Sequence, residues 1–479
     1  MEQVKNYKFF KIIIVLLSIL ICIPSVVFYA NNRTTLRFNG DLEFCFLLTK
    51  NINRIFQTIV YLILILLFIF FYYQIIKHRK KIFENMKQVY LFILIISLIF
   101  VLVIPFWCSD VFYYMGIGRL SQKYGQNPYY TDMESYIDNN DINLNNDTLM
   151  LKGYKNVWSN TTCVYGAFWT MICSTIAFLS FGNLDIGLLI FKLVAVIVHL
   201  LNCYLIYKIS NKKIFTLFYG LSPFILIEGI ANVHNDLFVL LFLLLAIFFL
   251  LKKKNIVLSI VFLALATDIK YFTILFLPLI VLYHYRDKDI KTKILKCIEY
   301  GLLFLLICAI PYLLYIKDLK VLAGIFTQQN KIAKGLYIVL LKYLNKVPNI
   351  IDWVKTSLLT IFVLLFIMKC IYLLSYSKLC FRKEMRTLFS FVLAFVFLLI
   401  TNFQPWYLIW LTPFMIWQKS DNIKLLIQMQ LMTLIANCVF LLYSENYIHG
   451  VKFFITYVVG VLLCYMFNKR HRLILKKEH

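Results

Sequence analysis

The chain has 479 residues, of which 62% are hydrophobic, 17% aromatic and only 15% charged, and its mean hydropathy is +0.79. That composition excludes a soluble globular domain. The formal net charge of +26 would suggest nucleic acid as a partner for a soluble protein. Here the Lys and Arg lie mostly in short connections between apolar runs, where the positive-inside rule accounts for them and no nucleic acid is expected.

Apolar runs long enough to cross about 30 Å of hydrocarbon recur from end to end, without the alternation of a barrel strand. The expected fold is all-α: one polytopic transmembrane helical bundle of about 12–14 spans over residues 1–479, with no soluble domain appended. The first run, 12–30, has a basic start but is too long for a signal-peptide core, and it reads as span one. Spans at 57–76 and 88–106 follow. The basic groups at Lys5–Lys11, His78–Lys81, Lys252–Lys254, Arg286–Lys293, Lys378–Arg386, Lys419–Lys424 and Lys469–Lys477 are assigned to the cytoplasm. With the N-terminus on that side, the end of the third span faces outward.

There the chain reads FWCSDVFYYMGIGRLSQKYGQNPYY from Phe106 to Tyr130. A carboxylate, Asp110, stands where the apolar run ends, followed by Tyr113, Tyr114 and Arg119 and a long polar stretch. The loop 107–184 is expected to be extracytoplasmic and to hold interfacial or re-entrant helices. If 164–181 and 185–207 both crossed, Lys208, Lys212 and Lys213 would face outward, so 164–181 is expected not to cross. Cys108 and Cys163 fall on the same outer side, where a disulfide closing this loop is one option. None of the twelve cysteines forms a CxxC pair or a zinc-spaced group with His.

The remaining spans are expected at 185–207, 214–232, 237–251, 255–268, 271–284, 296–316, 350–373, 386–401, 407–418, 424–443 and 451–468. The region 255–284 is short for two crossings and suggests a broken pair with Asp268 and Lys270 at its tip. The connection 317–349 falls outside yet carries six lysines, against the charge rule. Lys192 and His199, inside an apolar run, read either as a transport path or as groups paired with polar neighbours.

Asp110, Arg119, Glu228, His234, Asp236, Lys270 and the Gln404–Tyr407 turn all map to the outer half. Several have a simpler reading, though not Glu228. Asp110 and Asp236 each precede a helix and suit an N-cap. Trp406 and Tyr407 suit an interfacial aromatic belt, and His234 a solvated interfacial position. Glu228 lies near an apolar run, where an unpaired carboxylate is costly.

In order along residues 105–413, these segments resemble the integral-membrane glycosyltransferases of the GT-C superfamily, closest to the polyprenyl-phosphate-mannose-dependent mannosyltransferases. SDVFYYMGIGRLSQKYGQNPYY carries the most specific match, with Asp110 in the place of the catalytic carboxylate. Tyr165-Gly166 and Trp169 stand where the family has Tyr-Gly-Pro-Leu-Trp, although Ala167 and Phe168 replace Pro and Leu. SPFILIEGIANVHNDLF resembles the family's helix junction, with Ser222 in place of Asn and Glu228, His234, Asn235 and Asp236 retained. NFQPWYLIWLTP resembles its Gln-Pro-Trp-Tyr element.

The resemblance implies an inverting transferase that moves a sugar, most often mannose, from a polyprenyl-phosphate donor to an extracytoplasmic hydroxyl on a glycan or glycolipid. A base must take the acceptor proton, and that role falls to Asp110. Cations must meet the leaving phosphate, with Arg119, His234 and Lys270 as candidates. Tyr113, Tyr114, Trp406 and Tyr407 offer faces to sugar C–H groups, while Glu228, Asn235, Asp236 and Gln404 are further substrate-binding candidates. No cofactor or metal is expected. The localisation implied is a multi-pass membrane protein, in the plasma membrane for a prokaryote. A flippase for lipid-linked sugars is the rival from another class; it predicts inverted repeats and ionisable groups at mid-bilayer. The same enzyme class with a different polyprenyl-phosphate sugar is the second rival.

Overall fold

The computed structural model describes residues 2–31, 54–105, 108–318, 321, 350–400, 404–418 and 420–440. Every regular element among them is helical. In chain order the first are α1 (Glu2–Asn31), α2 (Arg54–Ile82) and α3 (Met86–Val101), with α1 packed on both of the others. Four shorter helices follow: α4 (Asp110–Gln122), α5 (Met133–Asn139), α6 (Thr148–Tyr154) and α7 (Ala167–Leu179). Then come α8 (Leu184–Ser210) and α9 (Lys213–Gly220), a π-helical turn at Ile225–Ala231, and α10 (Asp236–Phe248). Next are α11 (Ile256–Thr267), a 3-10 segment at Tyr271–Phe276, α12 (Leu277–His284) and α13 (Ile290–Tyr312). After α14 (Ile350–Ser375) and α15 (Phe381–Ala394), a 3-10 segment runs over Pro405–Ile416 and leads to α16 (Ser420–Phe440).

Among the described residues, five helices are long and apolar enough to cross a membrane: parts of α1, α2 and α14, and the whole of α8 and α13. A sixth crossing is available if α9 and the π-helical turn, bent by 59°, form one span. Pro223 sits at that bend; it lacks an N–H and disfavours helical geometry at Ser222. Most of the other expected spans coincide with apolar helices of 10–17 residues. The protein is therefore an all-α membrane protein whose bundle mixes long helices with short and broken ones. The expected last span, 451–468, lies outside the described residues, as does most of the lysine-bearing connection 317–349.

The bundle has two chemically different ends. At one, Lys213 of α9 donates from Nζ to the carbonyls of Phe83 and Glu84, both at 3.2 Å, which brings the α8–α9 connection beside Arg79, Lys80 and Lys81 of α2. Lys252–Lys254 close the helical run that begins at Asp236, about 25 Å of helix from that residue at roughly 1.5 Å per residue. Asp110, Asp236 and Lys270 gather at the opposite end.

Helix α7 explains how the loop before α8 fits this polarity. Its N-cap, Gly166, supplies no side-chain bond. Asp268, from the tip of the α11–α12 pair, takes over: its Oδ1 accepts the Ala167 N–H at 3.2 Å and its Oδ2 the Phe168 N–H at 2.8 Å. A Cβ at position 166 would run into the Asp268 backbone, so the close approach requires glycine. Just after α7, Gly182 lies against the guanidinium of Arg119. Both ends of α7 are thus held by the segments that build the polar end. Gly118 of α4 is another contact point, because a side chain there would meet the Cys173 carbonyl of α7.

Lys192 and His199 of α8 form no polar path. Lys192 Nζ donates to the carbonyls of Val101, at 3.2 Å, and Val103, satisfying the open C-terminus of α3. His199 Nε2 lies 3.1 Å from the Gly220 carbonyl at the end of α9. The optional disulfide is absent, since Cys108 and Cys163 are both free thiols. Cys163 Sγ is 3.5 Å from Thr170 Oγ1, whereas Cys108 Sγ accepts the Asp110 N–H at 3.4 Å, so local polar partners hold the two sulfurs.

Candidate active site

A cavity of about 220 Å³ opens at the polar end of the bundle. One wall comes from the loop segment: Asp110 and Tyr113 of α4, then Trp158, Thr161, Val164 and Tyr165. The other comes from the α11–α12 tip and the chain around α15: Lys270, Tyr271, Phe272, Phe395, Ile400, Gln404, Trp406, Tyr407 and Trp410.

Asp110 is the first residue of α4, not its cap. The N-cap is Ser109, whose side chain makes no cap bond; the Asp110 N–H is accepted by Cys108 Sγ at 3.4 Å. The Asp110 side chain is 13% exposed, and its Oδ2 lies 3.7 Å from Nδ1 of His234. That imidazole is fully buried and approaches Glu228 on its other side, with Nε2 3.3 Å from Oε2. Neither approach is a hydrogen bond, since neither ring nitrogen has a partner of hydrogen-bonding geometry. Glu228 Oε2 also accepts the Asn232 amide at 2.9 Å. Trp406 covers the imidazole face, its centroid 3.9 Å away and the rings 15° from parallel.

The second charged group is Lys270. Its Nζ is 2.7 Å from Oδ1 of Asp236 and lies over the rings of Tyr407 and Trp410, at 4.7 and 5.1 Å from their centroids. Asp236 likewise starts its helix without capping it: Asn235 is the N-cap residue and makes no side-chain cap bond. The Asp236 carboxylate accepts the Trp410 indole N–H instead. Trp410 is itself sandwiched, 4.0 Å from Phe272 and 4.5 Å from Tyr407 between centroids. Desolvated aromatic walls of this kind strengthen any electrostatic contact made inside.

Of the residues singled out from the sequence, Asp110, Tyr113, Lys270, Gln404, Trp406 and Tyr407 line the cavity. His234, Glu228 and Asp236 form a buried polar layer behind it. Asn235 is buried beside them with no hydrogen bond to its side-chain amide. Tyr114 is turned away into the core, edge-on to Tyr165 and Trp169 at 5.3 and 5.2 Å.

Arg119 does not line the cavity. Its Nε donates to Oδ2 of Asp147 at 2.9 Å, an oxygen that also accepts from Lys123 Nζ at 3.0 Å and Tyr124 OH at 3.2 Å. Burial first, then the Asp147 carboxylate, pushes the Tyr124 hydroxyl up to about 12, so it stays a donor across the ordinary pH range. Lying nine positions after Asp110 on α4, Arg119 is carried well away from the cavity by the helical rise of about 1.5 Å per residue.

The sequence did not single out Trp158, Thr161, Tyr271, Phe272, Phe395 or Ile400, whose separation along the chain leaves no local signal. It also did not foresee that one ligand atom each from Cys108, Asp110 and His234 all lie within 4.8 Å of one another. These are ligand types a divalent cation accepts. They lie too far apart in the chain for a spacing motif.

A carboxylate and a lysine on an aromatic cavity, with a buried histidine behind them, in a helical membrane protein fit the class of integral-membrane group-transfer enzymes. Residues 15–286, more than half of the chain, match the family model of the alpha-(1->6)-mannopyranosyltransferase N-terminal domain. The chain belongs to that family and is a glycosyltransferase. No curated protein and no solved structure matches it.

Proposed function

We propose that this protein is an inverting mannosyltransferase of GT-C type, which moves mannose from a polyprenyl-phosphate donor to a sugar hydroxyl on the extracytoplasmic side of the membrane. The observation that carries the reading is the placement of Asp110. Its carboxylate is released from helix capping and presented at the cavity, with His234 behind it and Lys270 on the same cavity.

Asp110 accepts the proton of the acceptor hydroxyl as its oxygen attacks the anomeric carbon. The new C1–O bond forms as the C1–O bond to phosphate breaks, and the electron pair leaves with the polyprenyl monophosphate. Lys270 is the cation at the cavity surface and receives that charge, in a site where a preorganised donor is worth more than in water. One carboxylate suffices, because direct displacement needs no nucleophilic carboxylate and the phosphate leaves as an anion that needs no general acid. Attack opposite the leaving group inverts the centre, so a β-linked donor gives the α linkage that the family's description names. Charge supports the outer side: the cavity lies at the end away from Arg79–Lys81, Lys213 and Lys252–Lys254. Phe395 and Ile400 give the cavity an apolar flank suited to the donor's lipid, and the donor, a glycan or glycolipid acceptor and membrane lipid are the partners.

The test is transfer of radiolabelled mannose from polyprenyl-phosphate-mannose to an α-mannoside by membranes holding equal amounts of wild type or Asp110→Asn. A positioned base contributes roughly 10²- to 10⁴-fold, so the variant should lose at least about 10²-fold. Transfer unchanged in the variant would remove Asp110 from the role of base.

A further inference from the structure

Most aromatic rings lining the cavity already have a ring partner. Trp406 stacks on His234, Trp410 lies between Phe272 and Tyr407, Tyr113 and Tyr165 pair at 6.5 Å, and Phe395 meets Phe362 at 6.2 Å. Tyr271 has its hydroxyl on Tyr312 at 3.0 Å. Trp158 differs: it is half-buried, it lines the cavity, and among the described residues no ring pairs with it and no side-chain hydrogen bond engages its indole.

The turn that carries Trp158 is nevertheless fixed on three sides. Asn156 donates its amide to the Ser109 carbonyl at 2.9 Å, beside Asp110. Ser159 donates to Glu134 Oε2 at 2.9 Å. The Thr161 carbonyl accepts the Tyr113 hydroxyl at 3.2 Å, one turn along α4 from Asp110. Asn156 Oδ1 accepts the Trp158 backbone N–H at 3.0 Å, which closes the turn. A rigid mount holding an unpartnered indole suits a ligand surface better than a packing role, because stacking costs little entropy when the ring is already placed.

We propose that Trp158 is the acceptor platform: the apolar C–H face of the acceptor pyranose lies on its indole, which sets the attacking hydroxyl at Asp110. The proposal rests on the transferase reading above. It divides the cavity by chemistry. The loop wall, bearing Trp158 and Thr161, takes the sugar acceptor, and the wall with Lys270, Phe395 and Ile400 takes the lipid phosphate.

The test uses the full-length protein in detergent, with polyprenyl-phosphate-mannose and an α-1,6-mannotriose acceptor, and follows the KM of each substrate separately. Trp158→Ala should raise the acceptor KM about tenfold while the donor KM stays within about twofold, and Trp158→Phe should restore most of the loss. Thermal unfolding checks folding, and Trp158→Leu serves if the alanine variant does not fold. Wild-type transfer with an unchanged acceptor KM in the variants overturns the platform alone, as does an equal rise in both KM values. No transfer by the wild type under saturating donor overturns the transferase reading and the platform with it.

Discussion

Lys270 and Asp236 meet at 2.7 Å although one sits at the tip between α11 and α12 and the other opens α10. The carboxylate is fully buried and the ammonium faces the cavity, so the pair presents one cation to the cavity from a buried anchor.

Removing that cation leaves Asp236 with the Trp410 indole as its remaining side-chain donor. Lys270→Gln is expected to lower kcat/KM for the donor by about 10²-fold, the typical effect of losing one preorganised donor. Lys270→Arg should retain more, since it keeps the charge. Steady-state rates at varied donor concentration decide this, and activity of the glutamine variant within about threefold of wild type would take Lys270 off the leaving group.

His234 fills the space between Asp110 and Glu228 under Trp406. His234→Ala opens a gap beneath Asp110, the proposed base, and leaves two carboxylates facing each other without the imidazole between them. The expected result is a fall in kcat of about tenfold or more with the acceptor KM little changed, because misplacement of a base acts on the chemical step. A fall confined to KM would place His234 in substrate binding instead.

Asp268 caps α7 from outside that helix. Loss of a side-chain cap costs about 0.5–2 kcal/mol, so Asp268→Ala should lower the thermal midpoint in detergent while Asp268→Asn, which keeps an acceptor, should recover part of it. Gly166→Ala should be at least as damaging, because its methyl would collide with the Asp268 backbone. Unchanged melting in both alanine variants would dismiss the trans-cap.

Arg119 provides a contrast, since its partner is Asp147 and it lies off the cavity. Arg119→Met should destabilise the loop, by about 3–5 kcal/mol if the buried Asp147 lost all compensation, and by less because Lys123 and Tyr124 remain on it. The donor KM of the folded fraction should hold. A clear rise in that KM would restore Arg119 as a phosphate ligand, the role suggested by its place after Asp110 in the sequence.

The sequence by itself determined the all-helical membrane bundle, because apolar length and the absence of strand alternation leave the backbone no other way to satisfy its hydrogen bonds. It also marked the Asp110 boundary, the Asp268–Lys270 tip and the ordered segments of the family resemblance, since each is written in a short contiguous stretch. It could not separate a capping from a free Asp110 or Asp236, as aspartate before a helix is equally suited to both. Only the tertiary structure decided that Ser109 and Asn235 occupy the cap positions, that Asp268 caps a helix about a hundred residues away, and that Arg119 is taken by Asp147. It alone brought Trp158 and Trp410 to the cavity wall. The physical reason is the same in each case: a side chain's partner is chosen by packing between elements distant along the chain, and local propensity carries no record of that choice.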